Sequence, residues 1–468
     1  MKSKVVALVV SLAACSALNS SAQSYQPGEL IVRFKEGPSV SSASVKSLYQ
    51  SLGVRDVQTF SPLMGRLQTI KLNPGVDTIS ALQAAQRDPR VERAQLNYIL
   101  TIPEKSSKFV KTAKKHPYSK QLNLFAFYET EEDNDQNGGH KDDRPKLERR
   151  PDLPSEEQPD EMAKHLWGLK TIQARAAWDN YPSEFKYNMT VAVIDTGIDY
   201  NHEDLGYNLW RKKSKTTGKE FVGYDFIHDD ELPYDDQGHG THTAGTIGAV
   251  GYNGIGVLGV APAVNVMSLK FLGGKGGGTT ADAVRAIDYA VTHGAKVLSN
   301  SWGGPGEDDN AELKEAIIRA EKKNVLFIVA AGNEETNNDT SEERSYPASF
   351  KLPNLISVAA SDIEDKKAYF SNFGPETTHI FAPGVNILSS VPGSDYKAAS
   401  GTSMACPHVA GAAAMIWSLK PKWSYKQVRD ILLKSVDKVD GFEKFVSSGG
   451  RLNLAKAVKE AGRSFNKP

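Results

Sequence analysis

Ser400-Gly-Thr-Ser-Met-Ala-Cys-Pro-His-Val-Ala-Gly411 sets one serine, Ser403, among small residues just ahead of a helix-forming run over 410–419. The first turn of a helix leaves backbone N–H groups without intrahelical partners and carries partial positive charge. A serine placed there can attack a carbonyl while nearby N–H groups steady the oxyanion. A serine hydroxyl alone is a weak nucleophile; it needs a base, and the base needs an orienting group. Both lie upstream. Val191-Ala-Val-Ile-Asp-Thr-Gly-Ile-Asp199 is an apolar strand ending at Asp195. Gly238-His-Gly-Thr-His-Thr-Ala-Gly245 puts His239 at the mouth of a second small-residue helix. The order along the chain is Asp, His, Ser.

These three motifs, with Ala330-Ala-Gly-Asn333 between the second and third, resemble the subtilase family of serine proteases. The resemblance runs from about Trp167 to Val458, and the region before it is similar to the family's pro-segment. It implies that His239 takes the proton from Ser403 and later gives it to the leaving amine, while Asp195 holds the imidazole. It implies that the Asn333 amide joins the Ser403 N–H in an oxyanion hole, with Gly332 beside it. Ser299-Asn-Ser-Trp-Gly-Gly304 and Lys275-Gly-Gly-Gly278 are similar to the two backbone edges between which the family holds an extended substrate. Ser301, Trp302, Gly303, Gly276 and Gly278 are then substrate-binding, by main-chain pairing that gives affinity without sequence choice. Ser345, before Tyr346-Pro347, falls at the floor of the pocket for the residue preceding the cut. The pocket shows no evident charge, which favours apolar or aromatic side chains. His242 and His408 are read as packed histidines.

Gly254-Ile-Gly-Val-Leu-Gly259 fits a dinucleotide fingerprint, but that fingerprint needs a strand before it and a helix opening inside it. Here Pro262 and a strand follow. The longer stretch 251–262 resembles the family's calcium loop instead. The resemblance implies a Ca2+ held by the Asn253 side chain, the carbonyls of Gly251, Ile255 and Val257, and Asp204, nine residues after Asp195. Oxygen donors of this mix suit calcium. The family's N-terminal side-chain ligand falls near Ala163, which cannot serve. Asp225-Phe-Ile-His-Asp-Asp230 is similar to a second calcium loop of some members, with Asp225 and Asp230 as ligands and His228 in place of a carboxylate.

The rest of the chain supplies the context. Residues 1–22 read as an export leader: Lys2 and Lys4, then an apolar core over 5–14. Cleavage after Ala22, or at a lipobox-like Leu12-Ala-Ala-Cys15 leaving a lipidated Cys15, are both open. Either sends the protein to the cell envelope or outside the cell, and only the second gives it a membrane contact. Residues 23–100 alternate as β-α-β-β-α-β, a ferredoxin-like α+β unit, with helices over 41–52 and 78–87. This unit resembles the inhibitor pro-domain, whose tail enters the cleft; that tail, 95–100, places the first cut at Leu100–Thr101. Residues 101–162 form a charged linker too poor in apolar surface to fold alone. In it, 123–128 is a candidate docking patch and 129–139 an acidic run. From 163 to 468, strands and helices alternate, which argues for a mostly parallel sheet covered on both faces, a three-layer α/β fold.

The 468 residues carry zero net charge, so nothing points to nucleic acid as a partner. Two cysteines give no disulfide framework. The expectation is a secreted endopeptidase, monomeric, made as a zymogen inhibited by its own pro-domain and acting on proteins and peptides. A silent subtilase fold that only binds peptides is the rival; intact Asp195, His239, Asn333 and Ser403 speak against it.

Overall fold

The computed structural model describes residues 24–37, 40–60, 65–103, 144–151, 158–181, 189–215, 217–306 and 310–463. The leader with its two exits, and the linker stretches 123–128 and 129–139, lie outside the described residues.

The N-terminal unit has the expected order. Strands Tyr25–Phe34, Val54–Thr59, Leu67–Leu72 and Val91–Thr101 and helices Ser42–Leu52 and Thr78–Arg87 build an antiparallel sheet backed by two helices. Both helices start on side-chain caps, Ser41 on the Ser44 N–H and Asp77 on the Ser80 N–H. Strand alternation gives the sheet two faces. Leu30, Val32, Ile70 and Leu72 close a core with Leu48, Leu52, Ala81 and Ala85. Ile31 and Leu67 point the other way and join the core of the larger body.

That larger body is a nine-stranded sheet. From one edge the strands are Asp437–Lys438, Gly450–Arg451, Ile380–Pro383, Leu355–Ser361, Leu326–Ala330, Val297–Asn300, Thr190–Asp195, Asn265–Lys270 and Gly223–Asp225. All neighbours are parallel except the first pair. Val191 and Val193 face a core made with helices His239–Gly248 and Thr402–Leu419. Ala192 and Ile194 face the opposite core, made with Thr280–Thr292 and Ala311–Lys322. The three-layer expectation holds.

Thr190–Asp195 lies between Asn265–Lys270, the next long strand in the chain, and Val297–Asn300, the one after. Connections on either side of it leave for opposite faces, and such a switch point opens a crevice beyond the carboxyl ends of the strands. Asp195 stands there.

The N-terminal unit caps two helices of the larger body. Asn97 Oδ1 accepts the Ala281 N–H at 3.0 Å, and Gln95 Oε1 accepts the Glu312 N–H at 3.0 Å. Residues inside the expected linker also dock. Residues 144–151 and 158–162 lie on the larger body, with Leu147 and Met162 packed against its core. Composition alone read these stretches as solvated; their partners are supplied by distant loops.

Candidate active site

The Asp195 strand end and the His239 helix approach closely because Gly240 has no side chain. A Cβ there would stand 2.0 Å from the Gly197 carbonyl oxygen. Asp195 Oδ1 lies 2.8 Å from His239 Nδ1 and also accepts the Thr196 N–H at 2.8 Å. Both residues are buried. His239 Nε2 is buried too and makes no hydrogen bond among the described residues.

The entry into that helix is held by a residue the sequence reading missed. Buried Asp235 accepts N–H bonds from Gln237, Gly238 and Thr241 and hydroxyl bonds from Thr196 and Thr241, all at 2.6–3.0 Å. Asp235 stands three residues before the Gly238 N-cap, outside the position where a capping aspartate is sought in a sequence.

Ser403 is the second residue of Thr402–Leu419. Pro407 lies inside that helix and has no N–H to bond the carbonyl four residues back, which is that of Ser403. Ser301 Oγ donates to this carbonyl instead, at 2.9 Å. Ser403 Oγ donates to the Ser301 carbonyl at 3.2 Å. The two serines therefore tie the helix mouth to the Ser301–Gly303 edge. Cys406, three residues on, is fully buried, and burial pushes its thiol up to about 11, so it is no rival nucleophile.

Asn333 is fixed by Thr402. Its Oδ1 accepts both the Thr402 N–H and the Thr402 hydroxyl at 2.9 Å. That choice of partners directs the amide N–H2 into the cleft, where Nδ2 lies 3.3 Å from the Pro103 carbonyl oxygen. Gly332 turns the chain with φ 106°, a conformation suited to glycine.

The tail of the N-terminal unit fills the cleft. Ile99, Leu100 and Thr101 pair antiparallel with Thr279, Gly278 and Gly277. Thr101 and Gly303 exchange two N–H···O bonds at 2.9 Å, and the Ile102 N–H reaches the Gly276 carbonyl at 3.1 Å. Both glycine-rich edges read from the sequence thus hold an extended chain. Leu100 and Ile102 are buried in one cluster with Phe271, Leu272 and Trp302. The Trp302 ring is fully buried against Phe271 and Phe327, and its N–H bonds the Ile194 carbonyl at 2.8 Å. Ser345 is buried behind Gly303, on a short strand paired with Gly304–Pro305.

The carbonyl at Asn333 belongs to Pro103, three residues beyond Leu100. Leu100, the residue before the cut expected from sequence, is instead buried in the apolar cluster. The tail's register is set by its bonds to the two glycine edges and by Gln95 and Asn97, which cap helices of the larger body.

Among the described residues no group of three His, Cys, Asp or Glu is arranged to hold a metal. The Asn253 loop has a different donor set, one carboxylate with amide and backbone oxygens. Asp204 is buried, and desolvation pushes its carboxyl up to about 8, so a cation would suit its charged form. Asn253 Nδ2 and the Val257 N–H donate to Asp204 at 3.0 and 2.8 Å. The carbonyls of Tyr252 and Gly256 accept the Gln158 and Met162 N–H groups, at 2.9 and 2.8 Å. The N-terminal side of the loop is supplied not from Ala163 but from Gln158 and Asp160. The latter accepts the Tyr252 and Asn253 N–H groups at 2.9 and 3.1 Å. Asn253 Oδ1 accepts the Ile255 N–H at 2.9 Å, so these side-chain oxygens hold protein donors; the donor types, carboxylate, amide and carbonyl oxygen, are those calcium takes.

The second loop holds a cation of the chain itself. Arg144 Nη1 lies 2.9 Å from Asp225 Oδ2 and 3.0 Å from Asp230 Oδ1, and Nη2 lies 2.5 Å from Asp230 Oδ2. A guanidinium stands where the sequence reading put calcium. His242 and His408 are packed as expected. His242 Nε2 faces the Ile387 and Lys397 carbonyls, and His408 Nδ1 the Met404 carbonyl.

This arrangement on this fold defines a class, and comparison with known proteins agrees. The profile of the subtilase family matches residues 186–452, more than half of the chain, and the chain belongs to that family. The fervidolysin N-terminal prodomain profile matches residues 14–97. Thermitase of Thermoactinomyces vulgaris is 36% identical over 293 residues, 63% of this chain and 95% of that protein. Subtilisin E of Bacillus subtilis (strain 168) is 41% identical over 246 residues, 52% of this chain and 59% of its own length. Subtilisin-like protease 2 of Plasmodium falciparum (isolate 3D7) is 35% identical over 304 residues, 62% of this chain and 22% of that protein. The chain thus spans well under two thirds of the length of the last two. No helix among the described residues is long and apolar enough to cross a membrane.

Proposed function

We propose that the protein is a serine endopeptidase made as a precursor inhibited by its own N-terminal domain, residues 23–103, and that it cuts itself first at Pro103–Glu104. The observation that carries this reading is the tail in the cleft: Thr101 paired with Gly303 while the Pro103 carbonyl meets Asn333. In the reaction the Ser403 hydroxyl leaves the Ser301 carbonyl and donates to His239 Nε2. The oxygen then attacks the Pro103 carbonyl carbon as His239 takes the proton. Asp195, bonded to Nδ1, fixes the tautomer and stabilises the imidazolium. Charge on the Pro103 oxygen is met by Asn333 Nδ2 and the Ser403 N–H. His239 returns the proton to the Glu104 nitrogen, the peptide bond breaks, and water releases the acyl group by the same steps reversed.

Once the tail has left, the same edges accept protein and peptide substrates. A calcium ion, held by Asp204, Asn253 and the carbonyls of Gly251, Ile255 and Val257, would tie the loop to the body and stabilise the fold. The charged start and apolar core of residues 1–22 support export, with Ala22 or Cys15 as the new terminus.

The test is direct. Wild-type protein should release a fragment ending at Pro103 and be labelled at Ser403 by a fluorophosphonate. Ser403→Ala should stay full-length and unlabelled. Normal processing in Ser403→Ala, or labelling elsewhere, would remove Ser403 from the role.

A further inference from the structure

We propose that residues 144–151 are a strap that stays on the catalytic domain after maturation, with the Arg144 guanidinium serving as the cation of the Asp225–Asp230 loop in place of a metal. The loop is a tight turn, closed by the Asp225 N–H on the Asp230 carbonyl at 2.8 Å and the reverse bond at 3.1 Å. It brings two carboxylates together, one of them, Asp225, wholly buried. Facing carboxylates of this kind need a positive partner, since an unpaired buried charge is strongly unfavourable. Arg144 supplies it. Its Nη1 also donates to the Leu232 carbonyl at 2.6 Å, so one guanidinium takes both aspartates and the backbone of the turn.

Every carboxylate oxygen already has a donor. Asp225 Oδ1 accepts the Ile227 and His228 N–H groups at 2.9 and 3.0 Å, and Oδ2 takes Arg144 and His228 Nδ1. Asp230 Oδ1 takes Arg144 and the Leu232 N–H at 3.0 Å, and Oδ2 takes Arg144. Calcium requires six to eight oxygens converging at about 2.3–2.6 Å. Here the oxygens converge on nitrogen donors, and the planar fork of arginine matches two carboxylates as a point ion does not.

The chain after Arg144 is bound at nearly every step, always by the catalytic domain. The Tyr200 hydroxyl donates to the Pro145 carbonyl. Asn201 brackets the strand, donating to the Lys146 carbonyl at 2.8 Å and accepting the Glu148 N–H at 2.9 Å. Arg211 donates to the Glu148 carbonyl at 2.8 Å, and Arg150 to the Leu209 carbonyl at 3.0 Å. Leu147 packs into the large core, and Pro151 lies against Gly206, where a Cβ would stand 3.2 Å away. Departure of the N-terminal domain breaks none of these contacts. The mature terminus therefore falls at or before Arg144, a step that rests on the self-processing proposed above.

Full-length Ser403→Ala protein separates the strap from that reading, because it needs no activity. In this background, Arg144→Gln and Asp230→Asn should each lower the thermal midpoint in chelator by several degrees, and the double variant little more than either. Calorimetric titration should give the same number of calcium ions per chain with and without Asp230→Asn. Mass spectrometry of active wild-type enzyme should find its first residue at or before Arg144. An unchanged midpoint for Arg144→Gln, one calcium fewer in Asp230→Asn, or a mature terminus beyond Arg144 would each overturn the proposal. If the wild type does not process itself, the self-processing reading fails, while the midpoints and the calcium count still decide the role of Arg144.

Discussion

Glu312→Gln should loosen the hold of the N-terminal domain on the enzyme without touching catalysis. Glu312 is in the first turn of Ala311–Lys322 and only 1% exposed. Its carboxylate takes Arg33 Nε at 3.2 Å and Arg33 Nη2 on the other oxygen, with Arg93 Nη1 at 3.4 Å. The first pair is a forked, half-buried charge-assisted contact, and hydrogen bonds to charged groups contribute about 1.5–3 kcal/mol. The Arg93 contact is long and its side chain more than a third exposed, so it adds about 0–1 kcal/mol. Glutamine keeps the volume and loses the charge, for a total near 3 kcal/mol, or roughly 100-fold in affinity. Residues 24–103, added to mature enzyme in a slow-binding inhibition assay, should show that weakening against Glu312→Gln. The kcat and KM on a short peptide should not move. Arg33→Met in the inhibitor should weaken wild-type inhibition similarly and add little on Glu312→Gln enzyme. An inhibition constant within threefold of wild type would refute the reasoning, and would move the grip to the tail alone.

Asn333→Ala should lower kcat by about 100- to 1000-fold with little change in KM, since its amide acts on the developing oxyanion. Thr402→Val should lower kcat about tenfold by freeing the amide it orients, and do nothing further on Asn333→Ala; an effect on KM alone would contradict both. Chelator should lower the melting temperature, by about 2.7 kcal/mol of linkage at a calcium level 100 times the dissociation constant. Asp204→Ala should abolish that response, and a wild type indifferent to chelator would make the Asn253 loop an ordinary turn. Burial pushes His242 and His379 down to about 3 and His408 to about 4, against an unfolded value near 6.5. The unfolded chain then binds protons at these sites that the folded one does not, so the histidines' contribution should be fully present above about pH 7 and be lost as the pH drops from about 6.5 toward 4, partly offset by Asp204, whose raised carboxyl favours the folded state as the pH falls below about 8. Denaturant midpoints of Ser403→Ala that stay constant down to pH 4.5 would count against this.

Much was legible because local chemistry and chain order carry it. Apolar strands of period two or continuous burial, small-residue helices and their caps mark the elements: Thr78–Arg87 coincides with the expected bounds, and Ser42–Leu52 starts one residue later because Ser41 is its cap. Asp195, His239 and Ser403 were recognisable because each needs a particular frame of small residues, such as Gly240, which lets helix and strand approach. Three decisions belonged to the tertiary structure. The register of the tail depends on which residue meets Gly303 and Asn333, and those partners come from distant loops. The cation at Asp225 and Asp230 is chosen by which charge reaches them, and Arg144 lies in a stretch whose composition reads as solvated linker. Asp160 and Gln158 likewise gain their place only from the loop at Tyr252 and Asn253. In each case the sequence specifies which groups want a partner, and only the packing of distant segments decides which partner arrives, because burial and charge pairing are properties of the assembled surface.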